Sequence, residues 1–189
     1  MTIASLNDKE LVVNILTASF ADNKSVNYII KQDGKKMLRL KRLMEYSFDS
    51  CHRFGEILLS NDKNGCALIL FQDRKRTTPQ TIVADIKLII NCMGLSIAKK
   101  AMGREAAIKK VHPSISFAYL WFIGVHPNEQ SKGIGTALMK EVIQRYKVEN
   151  RPIYLETSTE KNLPWYKKAG FETYQELDFG YNLYCMKYG

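Results

Sequence analysis

A mixed α/β fold, with helices covering a largely antiparallel sheet, is what this sequence predicts, on three observations. Segments whose apolar residues recur every three or four positions are interleaved with short apolar runs bounded by turn residues. One apolar run, 116–125, passes through a glycine-containing loop straight into an amphipathic helix. The chain has 189 residues and is 46% apolar, enough for one sizeable core and short for two. The expectation is therefore one domain over residues 1–189.

The elements follow in order. Asn7 or Asp8 can cap a helix bearing Leu11, Val12, Ile15, Leu16 and Phe20, which ends near Asp22. Gly34 separates it from a basic helix over 35–53 with Met37, Leu40, Leu43, Met44 and Phe48 on one face. Residues 56–60 and 67–73 read as a hairpin turning at Asn61-Asp62-Lys63-Asn64-Gly65. A basic helical insert occupies about 74–113, and Gly94 and Gly103 divide it into two or three short helices. Residues 116–125 form a strand so apolar that burial on both faces is expected, with Gly124 allowing a bulge or a close ligand approach.

Beyond the loop, Ile134, Leu138, Met139, Val142, Ile143 and Tyr146 make the buried stripe of a helix ending between 146 and 148. A strand over 152–157, a short helix over 163–169 closed by Gly170, and a hairpin of 171–176 with 181–187 complete the chain.

Composition narrows the function. The longest apolar stretch, 82–102, is interrupted by Asp85, Lys87, Lys99 and Lys100, so no membrane span is predicted. The first 20 residues lack a basic region followed by an apolar block, which points to a cytoplasmic protein. Cys51, Cys66, Cys92 and Cys185 are far apart and sit in apolar surroundings, as free thiols of a reducing compartment do. His52, His112 and His126 are scattered with no ligand spacing, so no metal is expected. The net charge of +9 favours an anionic partner in general.

The most informative stretch is Val125-His126-Pro127-Asn128-Glu129-Gln130-Ser131-Lys132-Gly133-Ile134-Gly135-Thr136. It offers mostly backbone between a strand and a helix. Glycines let the chain approach a ligand closely, and the helix start turns unpaired N–H groups and a positive dipole end toward an anion. A pyrophosphate suits such a loop.

The pattern Gln-x-x-Gly-x-Gly after a strand ending in Val-His-Pro resembles the acyl-CoA-binding motif of the GCN5-related N-acetyltransferases (GNAT). The order of elements resembles that fold over almost the whole chain. The insert, with His112-Pro113 followed by Tyr119-Leu120, is similar to the puromycin-type branch. The resemblance implies that Gln130, Ser131, Lys132, Gly133, Ile134, Gly135 and Thr136 hold the CoA pyrophosphate. It implies that Ile123, Gly124 and Val125 pair with the pantetheine arm, in a cleft where the strands 116–125 and 152–157 splay apart. Tyr166, in Trp165-Tyr166-Lys167-Lys168-Ala169-Gly170-Phe171, matches the family tyrosine that protonates the departing thiolate. Thr159 or Asn162 would contact the CoA arm, Asn162 serving equally as a helix cap.

Transfer to an amine also needs a route for the amine's proton. The strand 119–125 carries no carboxylate where many relatives have one. Glu156 on the facing strand is the candidate catalytic carboxylate, its alternative role being a charge partner for a lysine; His126 is a weaker candidate, and a water chain, or an acceptor that arrives neutral, is the favoured route. The resulting expectation is an acetyl-CoA-dependent N-acetyltransferase acting on a primary amine of a small molecule or peptide. Acetylation of an aminoacyl-tRNA or protein amine, and a non-catalytic acyl-CoA sensor, are the alternatives. A second copy of the chain is an open option as partner. Acceptor specificity is expected from 21–34 and 178–184, where Asp22, Asp33 and Asp178 could attract a cation.

Overall fold

A computed structural model describes the backbone of residues 1–189 and the side chains of all of them except 95 and 96. The elements are β1 (Thr2–Ile3), α1 (Lys9–Ser19), α2 (Lys24–Ile29), α3 (Lys36–Phe54), β2 (Gly55–Leu59), β3 (Gly65–Phe71), α4 (Pro79–Leu88), α5 (Leu95–Val111), β4 (Ala118–Val125), α6 (Ile134–Val148), β5 (Ile153–Thr157), α7 (Leu163–Lys168), β6 (Glu172–Asp178) and β7 (Asn182–Tyr188). The strands form one sheet in the order β1-β2-β3-β4-β5-β7-β6. Only the β4/β5 pairing is parallel. This is the predicted mixed sheet, extended by a short first strand that the sequence pattern does not announce.

Alternation along the strands sends side chains to two cores, one on each face of the sheet. Cys66, Leu68 and Leu70 of β3 join Leu16, Leu40, Met44 and Phe48 under α1 and α3. Ala67, Ile69 and Phe71 join Leu138, Met139, Val142 and Tyr146 under α6. Glu56 pins α6 across the second face through paired bonds from Arg145 at 2.6 and 3.0 Å and one from the Tyr146 hydroxyl at 3.2 Å. The four cysteines are free and buried. None of the described helices is long and apolar enough to cross a membrane.

Three local outcomes differ from the pattern. First, β4 alternates fully buried with partly buried residues, where burial on both faces was expected. The register shifts between Leu68/Ile69 and their partners Phe122/Leu120, so Trp121 is the extra residue of a bulge. Ala118 and Leu120 face the α6 core, whereas Phe122 faces the α1 core. The bulge is thus at Trp121, and Gly124 serves a different need. A Cβ on Gly124 would lie 3.0 Å from Leu16 and 3.2 Å from the Ser19 hydroxyl, so the glycine lets α1 sit directly on the strand.

Second, the insert breaks at Gly94, whose φ of 71° follows a π turn over Ile89–Met93, but Gly103 lies inside α5. Packing tolerates the roughly 1 kcal/mol cost of a mid-helix glycine. Third, α2 falls in a stretch without helical periodicity. It is nucleated by its cap: the Asn23 side chain accepts from the Val26 N–H at 3.0 Å.

Candidate active site

The site opens where the sheet divides. β4 and β5 pair only at Ala118↔Ile153 and Tyr119↔Tyr154. Beyond Tyr119 the two strands separate, each still held by its outer neighbour, β3 for β4 and β7 for β5. The facing edges therefore carry backbone groups with no strand partner, in a wedge that widens toward Val125 and Thr157. The helix α2 is tied to the β5 side of the wedge: the Ser25 N–H donates to the Ser158 hydroxyl at 3.2 Å, and Asn23 lies 3.4 Å from Thr159 Oγ1.

On one side the wedge runs into the loop before α6. Gly133 has a φ of 85°, a left-handed conformation that favours glycine, and a Cβ there would meet no atom within 4 Å. Ser131 shares the positive φ at 64°. The first N–H of α6 with a backbone acceptor is that of Ala137, bonded to the Gly133 carbonyl at 2.9 Å. Among the described residues, the N–H groups of 131–136 have no acceptor within the chain. This is the anion-binding arrangement of a helix start, and nothing in the protein fills it. Ser131, Gly133, Ile134, Gly135, Thr136 and Gln130 line the cavity here, with Ile123, Gly124 and Val125. Lys132 does not; its ammonium is engaged with Glu129 at 2.9 Å. Gln130 is pinned back to the Val125 carbonyl at 3.2 Å, and the Trp165 indole N–H donates to Thr136 Oγ1 at 3.1 Å.

On the other side lies a second cavity, walled by α2, α5, β4 and β5. Tyr166, Asn162, Thr159, Ile123, Asn23 and Phe20 line both cavities and mark their junction. Tyr166 is 6% exposed, and its ring packs edge-on against Phe171 at 5.9 Å. Burial pushes its phenol well above the ordinary tyrosine range, so it is fully protonated at neutral pH. Its hydroxyl forms no hydrogen bond with a described residue, yet is not sealed in the core. The Asn162 side chain makes no capping bond to α7, which leaves it free toward the junction.

Glu156 stands in this second cavity, but among the described residues no lysine is paired with it. Its Oε1 lies 2.7 Å from His112 Nε2 and its Oε2 accepts from the Tyr119 hydroxyl at 2.5 Å. The His112 and Glu156 side chains are 9% and 3% exposed. Burial first, and the carboxylates of Glu156 and Glu105 next, hold Tyr119 in its protonated, donating form. His112 reaches Glu156 from the C-terminal end of the insert, through an edge-on stack with Phe117 at 5.1 Å. The sequence offered His112 and Tyr119 only as a pair of neighbours in the chain; the carboxylate joining them comes from another strand.

Other candidates fall elsewhere. His126 lines neither cavity. Asp33 is consumed by Arg39 at 2.7 Å, whose guanidinium holds its carboxyl well below the usual range. Asp178 accepts from the Gly180 N–H at 2.7 Å in its own turn, and Asp22 lines the loop-side cavity. The segments 21–34 and 178–184 do meet: Tyr28 packs against Phe179 at 6.0 Å and Tyr181 at 5.4 Å.

Residues 79–173, just over half of the chain, match the acetyltransferase (GNAT) domain family. The chain belongs to this family. Solved structures agree in fold. A histone acetyltransferase HPA2 and related acetyltransferase from Corynebacterium glutamicum superposes with a TM-score of 0.72 at 20% identity, covering 98% of this chain and 93% of that one. The C-terminal condensation domain of Ebony, in complex with beta-alanyl-dopamine, gives 0.71 at 11% identity, with 98% and 96% covered. Arylalkylamine N-acetyltransferase 2 from Aedes aegypti gives 0.64 at 16% identity, again covering 98% and 96%. The GNAT fold thus accounts for the divided sheet, with the family match spanning α4 through the start of β6.

Proposed function

We propose that the protein transfers an acetyl group from acetyl-CoA directly to a primary amine. The observation that carries this reading is the position of Tyr166, an unbonded and protonated phenol where a cavity ending in free backbone N–H groups meets a cavity holding a buried carboxylate. Membership of an acetyltransferase family supports the same chemistry.

In this reading the N–H groups of 131–136 take the pyrophosphate, since they are preorganised and lack competing acceptors. The free edge of β4 at Ile123, Gly124 and Val125 supplies backbone partners to the pantetheine amides. The thioester then reaches the junction. The acceptor nitrogen forms its bond to the acetyl carbon, the carbon–sulfur bond breaks, and the leaving sulfur takes the proton of Tyr166. Glu156, fixed by His112 and Tyr119, draws the incoming ammonium and receives, directly or through one water, the proton whose loss frees the nitrogen lone pair. The second proton, shed once the nitrogen has bonded to the acetyl carbon, restores Tyr166, and Glu156 releases its own to solvent. Thr159 and Asn162 border the thioester end of the arm, and no step calls for a metal ligand.

The test is a screen of primary amines with acetyl-CoA, following free thiol and the mass of the product. Acetylated amine with stoichiometric thiol supports the transfer. Tight CoA binding without turnover on any amine would favour an acyl-CoA sensor.

A further inference from the structure

Arg104 enters the acceptor-side cavity from the middle of α5. It is partly buried, and among the described residues it forms no ion pair with any Asp or Glu. Instead its Nε donates to the Tyr181 hydroxyl at 2.9 Å and its Nη2 to the Ser25 hydroxyl at 2.6 Å. Both partners are neutral. A guanidinium has five N–H donors, so three remain, including both on Nη1. The nearby Glu156 has its two oxygens engaged by His112 and Tyr119. A cation withdrawn from water without a directly paired anion is costly, and a ligand that supplies the anion would offset that cost.

The surroundings limit what that ligand is. Ser25 and Tyr181 clamp the guanidinium from α2 and from the turn between β6 and β7, so its plane is fixed before anything binds. Lys75 also lines the cavity, and the segment 74–113 carries nine lysines and arginines against two acidic residues. The lining that Arg104 and Glu156 share also includes the apolar and aromatic side chains of Ile29, Trp121 and Phe122. One cavity therefore offers a buried carboxylate for an ammonium and an unmatched guanidinium for an anion.

We infer that the amine acceptor carries a carboxylate, as a free amino acid does, and that Arg104 is the residue that selects it. This deepens the acetyltransferase reading and rests on it. The carboxylate takes the free N–H donors of Arg104 while the amine lies toward Glu156 and the Tyr166 junction. Arginine matches a carboxylate with two parallel bonds, where lysine offers a point charge.

The experiment compares matched acceptors with acetyl-CoA: glycine, leucine and phenylalanine, their carboxamides, and the corresponding decarboxylated amines. For the accepted side chain, kcat/KM should favour the acid over its amide by roughly 10- to 100-fold, the range of a hydrogen bond to a charged group. R104Q should bring that ratio toward one, mainly through KM, and R104K should restore part of it. A wild-type preference for the amide or amine overturns the inference, and this arm needs no variant to fold. Equal losses on acid and amide in R104Q also overturn it, because a mere structural tie between α5, α2 and the turn would behave that way. In a second arm, calorimetry on the CoA-loaded protein compares the N-acetylated acids with their N-acetylated amides. Acid-selective binding without turnover would retain the Arg104 site and break the transferase reading. Turnover with amines lacking a carboxylate, and no acid-selective binding, would do the reverse.

Discussion

The two halves of the cleft are built from different materials. The side ending at 131–136 is made of backbone: a left-handed Gly133, a positive-φ Ser131 and N–H groups without acceptors. The acceptor side is made of side chains from distant parts of the chain, with Arg104 and His112 from the insert meeting Tyr119, Glu156, Ser25 and Tyr181. Backbone recognition tolerates change in most side chains provided the conformation holds, whereas a side-chain network fails at any member. The first half suits a ligand common to a whole family, and the second suits one particular acceptor.

The sharpest test of the division is at the junction. Tyr166→Phe should reduce turnover by about 100-fold or more, as expected for loss of a general acid, while acetyl-CoA affinity changes little. Single-turnover and binding measurements together separate the two effects. Equal activity in the variant would make Tyr166 a packing residue and leave the two halves without a shared catalytic group.

On the backbone side, Gly133→Asp should weaken acetyl-CoA binding by more than about tenfold, since it adds a strained positive φ of roughly 1–2 kcal/mol and a charge that repels the pyrophosphate. Lys132→Ala should matter far less, because that ammonium is paired with Glu129 at 2.9 Å and lines no part of the cavity. Calorimetry that ranked the two in the opposite order would show that side chains, and not backbone, hold the pyrophosphate.

On the acceptor side, Glu156→Gln keeps the size of the group but removes its charge, and turnover should fall by about tenfold or more with acetyl-CoA affinity retained. The absence of a carboxylate from β4 points to a water-mediated route or an acceptor that arrives neutral; near-full activity of this variant across pH would return to that reading.

The smallest effect concerns stability at high pH. Burial pushes the Cys92 thiol up to about 11 from an ordinary value of 9. An unfolded chain would lose this proton first, so unfolding releases protons in this range and alkali favours it. The contribution is fully present below pH 9 and is lost as pH rises toward 11. Chemical denaturation at pH 8 and pH 10.5 should show a lower midpoint at the higher pH, and a smaller drop in Cys92→Ala. An identical drop in that variant would assign the alkaline loss to other groups.

Sequence alone determined the features that depend on neighbours in the chain. Helical periodicity located α1, α3 and α6, turn residues bounded the two hairpins, and the glycines at 133 and 135 marked the loop before α6. These are local because a φ angle, a cap or an amphipathic face is set by residues a few positions away. Tertiary structure decided the rest. Gly124 proved to be a seat for α1, the bulge fell at Trp121, and Glu156 found His112 and Tyr119 in place of a lysine. Arg104 became conspicuous only beside Ser25 and Tyr181, which lie 79 and 77 positions away in the chain. Such contacts depend on sheet order and strand divergence. No periodicity records which side chains two splayed strands and an inserted helix will bring into one cavity.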